Sequence, residues 1–137
     1  MTEAATPRPL PAPTNITRPF WQAAKERRLV IQYDPDTGAY QFYPRAISMA
    51  TGKRNLEWRE VSGKGSVFSY TVTHVPTPGF EDLAPYALAT VDLDEGVRML
   101  ARLDNVAPDD IAIGMRVKVC WEELSDDITY FAFEPDN

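Results

Sequence analysis

The chain has 137 residues, 44% of them hydrophobic and 25% charged, with a formal net charge of −6. That length suits one ordinary domain or two very small ones sharing a core. A single cysteine, Cys120, excludes an internal disulfide framework and a cysteine-based zinc site, and no stretch approaches the roughly 18 apolar residues of a membrane helix.

The start, Met1-Thr2-Glu3-Ala4-Ala5-Thr6-Pro7-Arg8-Pro9, has neither a cationic opening nor an apolar run and does not read as a signal peptide. With so little cysteine, a reducing cytoplasm is the expected setting. Charge is unevenly spread: residues 1–58 carry eight Lys/Arg against five Asp/Glu, whereas residues 59–137 carry six against fifteen. The second half should repel phosphates, so an anionic ligand is better placed near the first.

In chain order, residues 1–14 form an extended Pro/Ala/Thr tail. Thr17 then stands as an N-cap before Arg18-Pro19, and Phe20, Trp21, Ala24 and Leu29 follow at near-helical spacing, which predicts a short amphipathic helix over 18–27. Two aromatics in so short a helix imply that it docks, either on its own barrel or on a second subunit. We take Phe20 and Trp21 as candidate partner-docking residues. Leu29-Val30-Ile31-Gln32 reads as a strand, Asp34-Pro35-Asp36-Thr37-Gly38 as a turn, and Tyr40-Gln41-Phe42-Tyr43 as a returning strand. A second turn, Ser48-Met49-Ala50-Thr51-Gly52, leads into Leu56-Glu57-Trp58.

The remainder alternates with period two. Phe68, Tyr70, Val72 and His74 share one face of the first strand, and Val67, Ser69, Thr71 and Thr73 the other. Ala87–Leu93, a turn at Asp94-Glu95-Gly96, and Val97–Leu103 form a hairpin. A helical turn at Pro108–Ile111 precedes Val117, Val119 and Trp121, and Thr129–Phe133 closes the set. Five strands with a short helix before the fourth suit a Greek-key barrel of OB type. The expected architecture is therefore mostly β: an N-terminal helix and a ribbon over 15–58, then a five-stranded OB barrel over 59–137.

The two turns share a layout. In Asp34-x2-Thr37-Gly38 and Ser48-x2-Thr51-Gly52 ten residues lie between Thr37 and Ser48, the spacing with which a zinc ribbon aims four thiolates at one tetrahedral ion. Here the four positions hold Asp, Thr, Ser and Thr. Ser and Thr hydroxyls stay protonated near neutral pH and ligate zinc poorly, so no bound metal is expected. These residue types instead close turns by bonding their own backbone, with Tyr33, Tyr40, Phe42, Tyr43 and Trp58 adding packing.

Several segments, in order and spacing, resemble the acyl-CoA-associated zinc-ribbon/OB-fold proteins, a family long catalogued as a domain of unknown function. They are Pro19-Phe20-Trp21, Leu29-Val30-Ile31-Gln32, Phe42-Tyr43-Pro44-Arg45, Leu56-Glu57-Trp58, Ser62–Thr71, Pro85–Ala89, Leu93–Arg98 and Ile113–Val117. The likeness runs over roughly residues 15–134. In that family four cysteines sit where this chain has Asp34, Thr37, Ser48 and Thr51. The resemblance implies a non-catalytic accessory or bridging subunit of a thiolase-superfamily enzyme, acyltransferase or aldolase, in lipid metabolism, helping to enclose the pantetheine arm of a CoA thioester.

CoA needs cationic side chains for its phosphates and an apolar slot for its arm. The candidates are Arg45, Lys53, Arg54 and Arg59 in the ribbon and Lys64 in Gly63-Lys64-Gly65, with Tyr70 and His74 to line a slot. Each basic residue also has the bland reading of a solvated charge, and Gly63-Lys64-Gly65 lacks the spacing of a phosphate loop. His74 reads as a partly buried hydrogen-bonding residue or as a general base. Cys120 reads as a packing thiol, and Asp92, Asp94 and Glu95 as turn chemistry. Two other classes remain: a single-stranded nucleic-acid-binding OB protein, disfavoured by the acidic second half, and a small thioesterase-like enzyme using His74. No membrane partner is expected, and a homo-oligomer is left open.

Overall fold

The structure, a computed structural model, describes residues 8–137, so that residues 1–7 of the expected tail lie outside the described residues. One helix, α1 (Arg18–Lys25), precedes a three-stranded antiparallel sheet of β1 (Val30–Asp34), β2 (Ala39–Gln41) and β3 (Glu57–Glu60), ordered β2-β1-β3. Then come β4 (Lys64–Thr73), β5 (Tyr86–Leu93), β6 (Arg98–Leu103), β7 (Arg116–Glu123) and β8 (Thr129–Pro135), with one 3-10 turn at Pro108–Asp110 before β7. These five close into a barrel in the order β4-β5-β6-β8-β7. All pairs are antiparallel except β6 with β8, where Leu103 opposes Phe133. This is the OB arrangement that the strand spacing predicts. No helix among the described residues is long and apolar enough to cross a membrane.

Helix α1 ends two residues earlier than its pattern suggests. Arg27 adopts a left-handed φ of 58°, and the backbone N–H groups of Arg27 and Arg28 bond back to the carbonyls of Ala24 and Ala23. That closure satisfies terminal carbonyls as a C-terminal cap does. At the other end Thr17 occupies the cap position, but its hydroxyl accepts the N–H of Thr14 at 2.9 Å instead of capping the helix.

The barrel core follows from alternation: β5 and β6 bury Ala87, Ala89, Val91, Leu93, Met99, Ala101 and Leu103 while the residues between them point outward. Strand β4 breaks that rule. A β-bulge between Val67 and Ser69 flips the phase, so Val67, opposite Val91, and Tyr70, opposite Ala89, fall on the same face of the strand, although Tyr70 itself is exposed. The expected grouping of Phe68 with Tyr70 and Val72 therefore fails at Phe68, which is exposed and carries Arg98 stacked on its ring at 3.6 Å. Gly65 packs against β5 so tightly that a Cβ there would run into the Asp92 carbonyl oxygen. The glycines around Lys64 thus serve barrel closure.

Phe20 and Trp21 are buried in the chain's own core, at 3% and 8% exposure, and this corrects the expectation that they dock a partner. Phe20 packs edge-on against Phe131 of β8 at 5.6 Å and against Phe42 of the ribbon at 5.9 Å, while Trp21 lies 5.6 Å from Tyr130. Apolar burial is better served by the nearby barrel end than by water. Phe20→Ala is expected to lower the unfolding free energy by about 3–5 kcal/mol, as large-to-small core changes do. Urea denaturation followed by tryptophan fluorescence and circular dichroism measures it; a loss below ~1 kcal/mol would place the ring outside the core.

Candidate functional site

The ribbon knuckles are built as the spacing predicts, but with oxygen and amide groups. The Gly38 N–H bonds the Asp34 carbonyl at 2.8 Å, and the Gly52 N–H bonds that of Ser48 at 2.8 Å. Both glycines take a φ of 75°, the left-handed geometry that closes each knuckle. The side chains of Asp34 and Ser48 are each 1% exposed and meet directly: the Ser48 hydroxyl donates to Asp34 Oδ2 at 2.5 Å. Asp34 Oδ1 accepts from the Asp36 backbone N–H and from Asn55 Nδ2, both at 2.9 Å. Asn55 Nδ2 also reaches Asp36 Oδ2 at 2.8 Å. Ser48 Oγ in turn accepts the N–H groups of Ala50 and Thr51. Thr37 and Thr51 are exposed and bond the N–H two residues on, in ST-type turns.

These four side chains do not make a zinc ligand set. Only one is ionisable, the two threonines face solvent, and the serine proton is directed at the carboxylate. Among the described residues no group of three or more His, Cys, Asp or Glu could hold a metal. Asn55, which the sequence reading did not single out, is the third member of the closure. It lies outside the x2 pairs, and no spacing rule points to it.

The Ser48 hydroxyl, followed by the Asp36 backbone and the Asn55 amide, holds the Asp34 carboxyl below its ordinary value of 3.8 against the opposing effect of burial. A carboxylate whose folded pKa lies below the unfolded one adds stability above the unfolded value, and loses it as pH falls through the folded one.

The seven CoA-binding candidates do not form one cluster. Arg45 and Arg54 line the same small groove of about 280 Å3, with Trp58, Leu56 and Ile16 as apolar walls. The buried Gln32 fixes that groove, donating to the Arg45 carbonyl at 2.7 Å and accepting the Arg45 N–H at 2.8 Å. Lys53 is exposed beside Arg54 in sequence, and none of the three forms an ion pair among the described residues. Arg59 is already engaged, bonded to Glu57 at 2.8 Å and stacked 3.7 Å over Tyr33. Lys64 lies 3.7 Å from Asp136 at the barrel-closing end of β4. Tyr70 and His74 lie at the opposite end of β4, and both are exposed. His74 makes no side-chain hydrogen bond among the described residues, which corrects its expected partly buried, bonded state.

Burial pushes the Cys120 thiol up to about 12, aided by Asp104 and Glu134, so it remains protonated and unreactive at neutral pH. Asp92 and Asp94 hold Arg98 and Arg116, and Glu95 accepts the Ser62 N–H. All three acids serve turns and barrel closure.

Two measurements check the ribbon. Asp34→Asn should be less stable than the parent at pH 7 and lose less stability as pH falls below ~4, because the titrating carboxylate is gone; equal slopes would remove Asp34 from the linkage. The quadruple change of Asp34, Thr37, Ser48 and Thr51 to Cys should bind one Co2+ or Zn2+ per chain with thiolate-to-cobalt absorption, while the parent takes up neither.

Residues 21–55 match the model of the ChsH2 rubredoxin-like zinc ribbon domain, and residues 58–122 match that of the ChsH2 C-terminal OB-fold domain. A DUF35 domain-containing scaffold protein of Pyrococcus furiosus is 36% identical over 112 residues, which cover 82% of this chain and 82% of that one. A probable enoyl-CoA hydratase alpha subunit of Thermomonospora curvata is 40% identical over 130 residues. That match takes in 93% of this chain and 40% of the relative, so the chain spans well under half of that protein's length. Among solved structures, a chain of the Ltp2-ChsH2(DUF35) aldolase superposes with a TM-score of 0.82 at 37% identity, covering 92% of this chain and 98% of that one. A DUF35 protein of Sulfolobus solfataricus, at 14% identity and a TM-score of 0.62, shares the fold. With ribbon and barrel both matched and the Pyrococcus furiosus scaffold protein aligned over 82% of its length, the chain belongs to the ChsH2/DUF35 family of zinc-ribbon and OB-fold proteins.

Proposed function

We propose that this chain is a non-catalytic partner subunit of an acyl-CoA enzyme, docking on a thiolase-like, acyltransferase or aldolase subunit and helping to enclose the CoA arm. The observation that carries the reading is the near-complete superposition on a chain of the Ltp2-ChsH2(DUF35) aldolase. The curated relatives of similar length are described as scaffold proteins, in keeping with a role carried out through another subunit. The chemistry of the described residues supports it as well. The one histidine is exposed with no orienting partner and the one thiol is held protonated, so neither belongs to a nucleophile–base pair among the described residues.

Arg45 and Arg54, with Lys53 beside them, are the groups best placed to meet CoA phosphates. Arg45 and Arg54 share a groove and pair with no carboxylate among the described residues, and Gln32 fixes the backbone of Arg45. Arg59 and Lys64 are poorer choices, since an anion must compete with Glu57 or Asp136. The acidic barrel, with its cations largely spent on Asp92, Asp94, Asp104 and Glu122, argues against single-stranded nucleic acid.

Affinity capture with the tagged chain from its host should retrieve an acyl-CoA enzyme. In the reconstituted complex Arg45→Ala and Arg54→Ala should each raise KM for the CoA substrate about three- to tenfold with little change in kcat, as expected for exposed phosphate contacts worth roughly 1 kcal/mol. The isolated chain should not turn over acyl-CoA. Turnover abolished by His74→Ala would overturn the reading in favour of an enzyme.

A further inference from the structure

Strand β4 has a partner along the whole of one edge and along only part of the other. On the first edge it pairs with β5 from Gly65, opposite Leu93, to Thr73, opposite Tyr86. On the second, β7 reaches only Lys64, Gly65 and Ser66, and the backbone groups of Gly114 and Met115 take Val67. From Phe68 to Thr73 no backbone group among the described residues bonds that second edge. The pairing stops at the bulge between Val67 and Ser69, and a bulge bends its strand and ends a ladder. Beyond it the register with β5 is unbroken over Ser69–Thr73, so the free edge is regular strand.

An open edge presents a row of N–H and C=O groups that pair with any strand laid beside them, and proteins blunt such edges with Lys, Pro or inward-pointing charge. Ser69–Thr73 has none of these. Its neighbours along the strand are β-favouring aromatic and β-branched residues, and the longer stretch Gly65–Phe80 holds no Asp, Glu, Lys or Arg. Phe68, Ser69, Tyr70 and Thr71 are all exposed. Ile113, 71% exposed, extends this apolar shelf from the loop that the Gly114–Val67 bond holds against β4.

Charge and cross-strand pairing say which strand fits. A foreign strand recruited by charge needs charges to meet, and this edge offers none. Two copies of a chain with net charge −6 repel, and they approach at least cost where the surface is uncharged. A two-fold axis normal to the sheet makes the two strands antiparallel and sets opposing residues on one face. With that axis at Thr71, Thr71 opposes its own counterpart, Tyr70 opposes Val72, and Ser69 opposes Thr73. These are the threonine–threonine, aromatic–β-branched and hydroxyl pairs that stabilise antiparallel sheets.

We propose that the free edge of β4, Ser69–Thr73, pairs antiparallel with the same edge of a second copy about a two-fold axis at Thr71, joining two barrels through one continuous sheet. The contact does not depend on the partner-subunit reading, and the groove of Arg45 and Arg54 takes no part in it.

Sedimentation velocity of the full chain from about 1 to 300 µM tests it, with a concentration-dependent dimer expected within that range. Thr71→Lys and Thr71→Glu each set like charges opposite one another and should weaken the dimer about tenfold or more, with the melting midpoint within a few degrees. Mixing the two variants should restore the dimer, because the opposed charges then attract. Thr71→Cys should give a disulfide-linked dimer on mild oxidation with diamide, since directly opposed antiparallel residues have Cα atoms about 4.5–5.5 Å apart. Leu100→Cys, exposed on β6 away from the edge, should stay unlinked under the same treatment. A chain that remains monomeric to about 300 µM would overturn the proposal. So would a dimer that Thr71→Lys leaves intact and Thr71→Cys fails to link, because the copies would then meet elsewhere. The Thr71→Cys result remains decisive if the charged variants fail to fold.

Discussion

Three parts of the chain meet at one aromatic cluster, and their relative placement depends on it. Phe20 from the helix, Phe42 from the ribbon and Phe131 from the last barrel strand have ring centres 5.6–6.3 Å apart. Their tilted and edge-on arrangements are the ones that aromatic quadrupoles favour. The helix adds to the direct Phe42–Phe131 contact between ribbon and barrel, filling the junction with the Phe20 ring. The cluster therefore turns two very small units, neither large enough for a generous core, into one body. It also sets which surfaces stay free. The helix face is consumed internally, and the exposed cations of the ribbon lie beside it.

Much of the fold was legible because barrel strands obey simple periodicity. The alternation of Ala87–Leu93 and Val97–Leu103 predicts the observed buried faces residue by residue. The place where the reading fails is also physical: one extra residue at Phe68 inverts the phase of β4, and a bulge has no signature in a pattern of alternating residue types. The helix end was missed for a similar reason. Its stop depends on Arg27 taking a left-handed conformation that glycine would have announced and arginine does not.

The site was less legible than the fold. The x2–x10–x2 spacing identified both knuckles, and the residue types indicated turn-closing chemistry, which is what Asp34, Ser48, Thr37 and Thr51 perform. Asn55 was invisible because its contribution comes from the return of the chain in space, twenty-one residues from Asp34. Likewise, the basic candidates looked equivalent in sequence. Only the ion pairs separate Arg45 and Arg54, which keep free guanidinium groups, from Arg59, which Glu57 and Tyr33 occupy.

The closure of the ribbon through Asp34, Ser48 and Asn55 has a consequence for where this chain can work. A thiolate-held ribbon is open to attack from two directions, since oxidants convert its sulfurs and chelators remove its ion. The groups that close the knuckles here are oxygens and an amide, with no thiolate among them. The hydrogen bonds of Asp34, Ser48 and Asn55 therefore hold the two knuckles together without thiolate chemistry, so the oxidation of a ligating sulfur cannot open them.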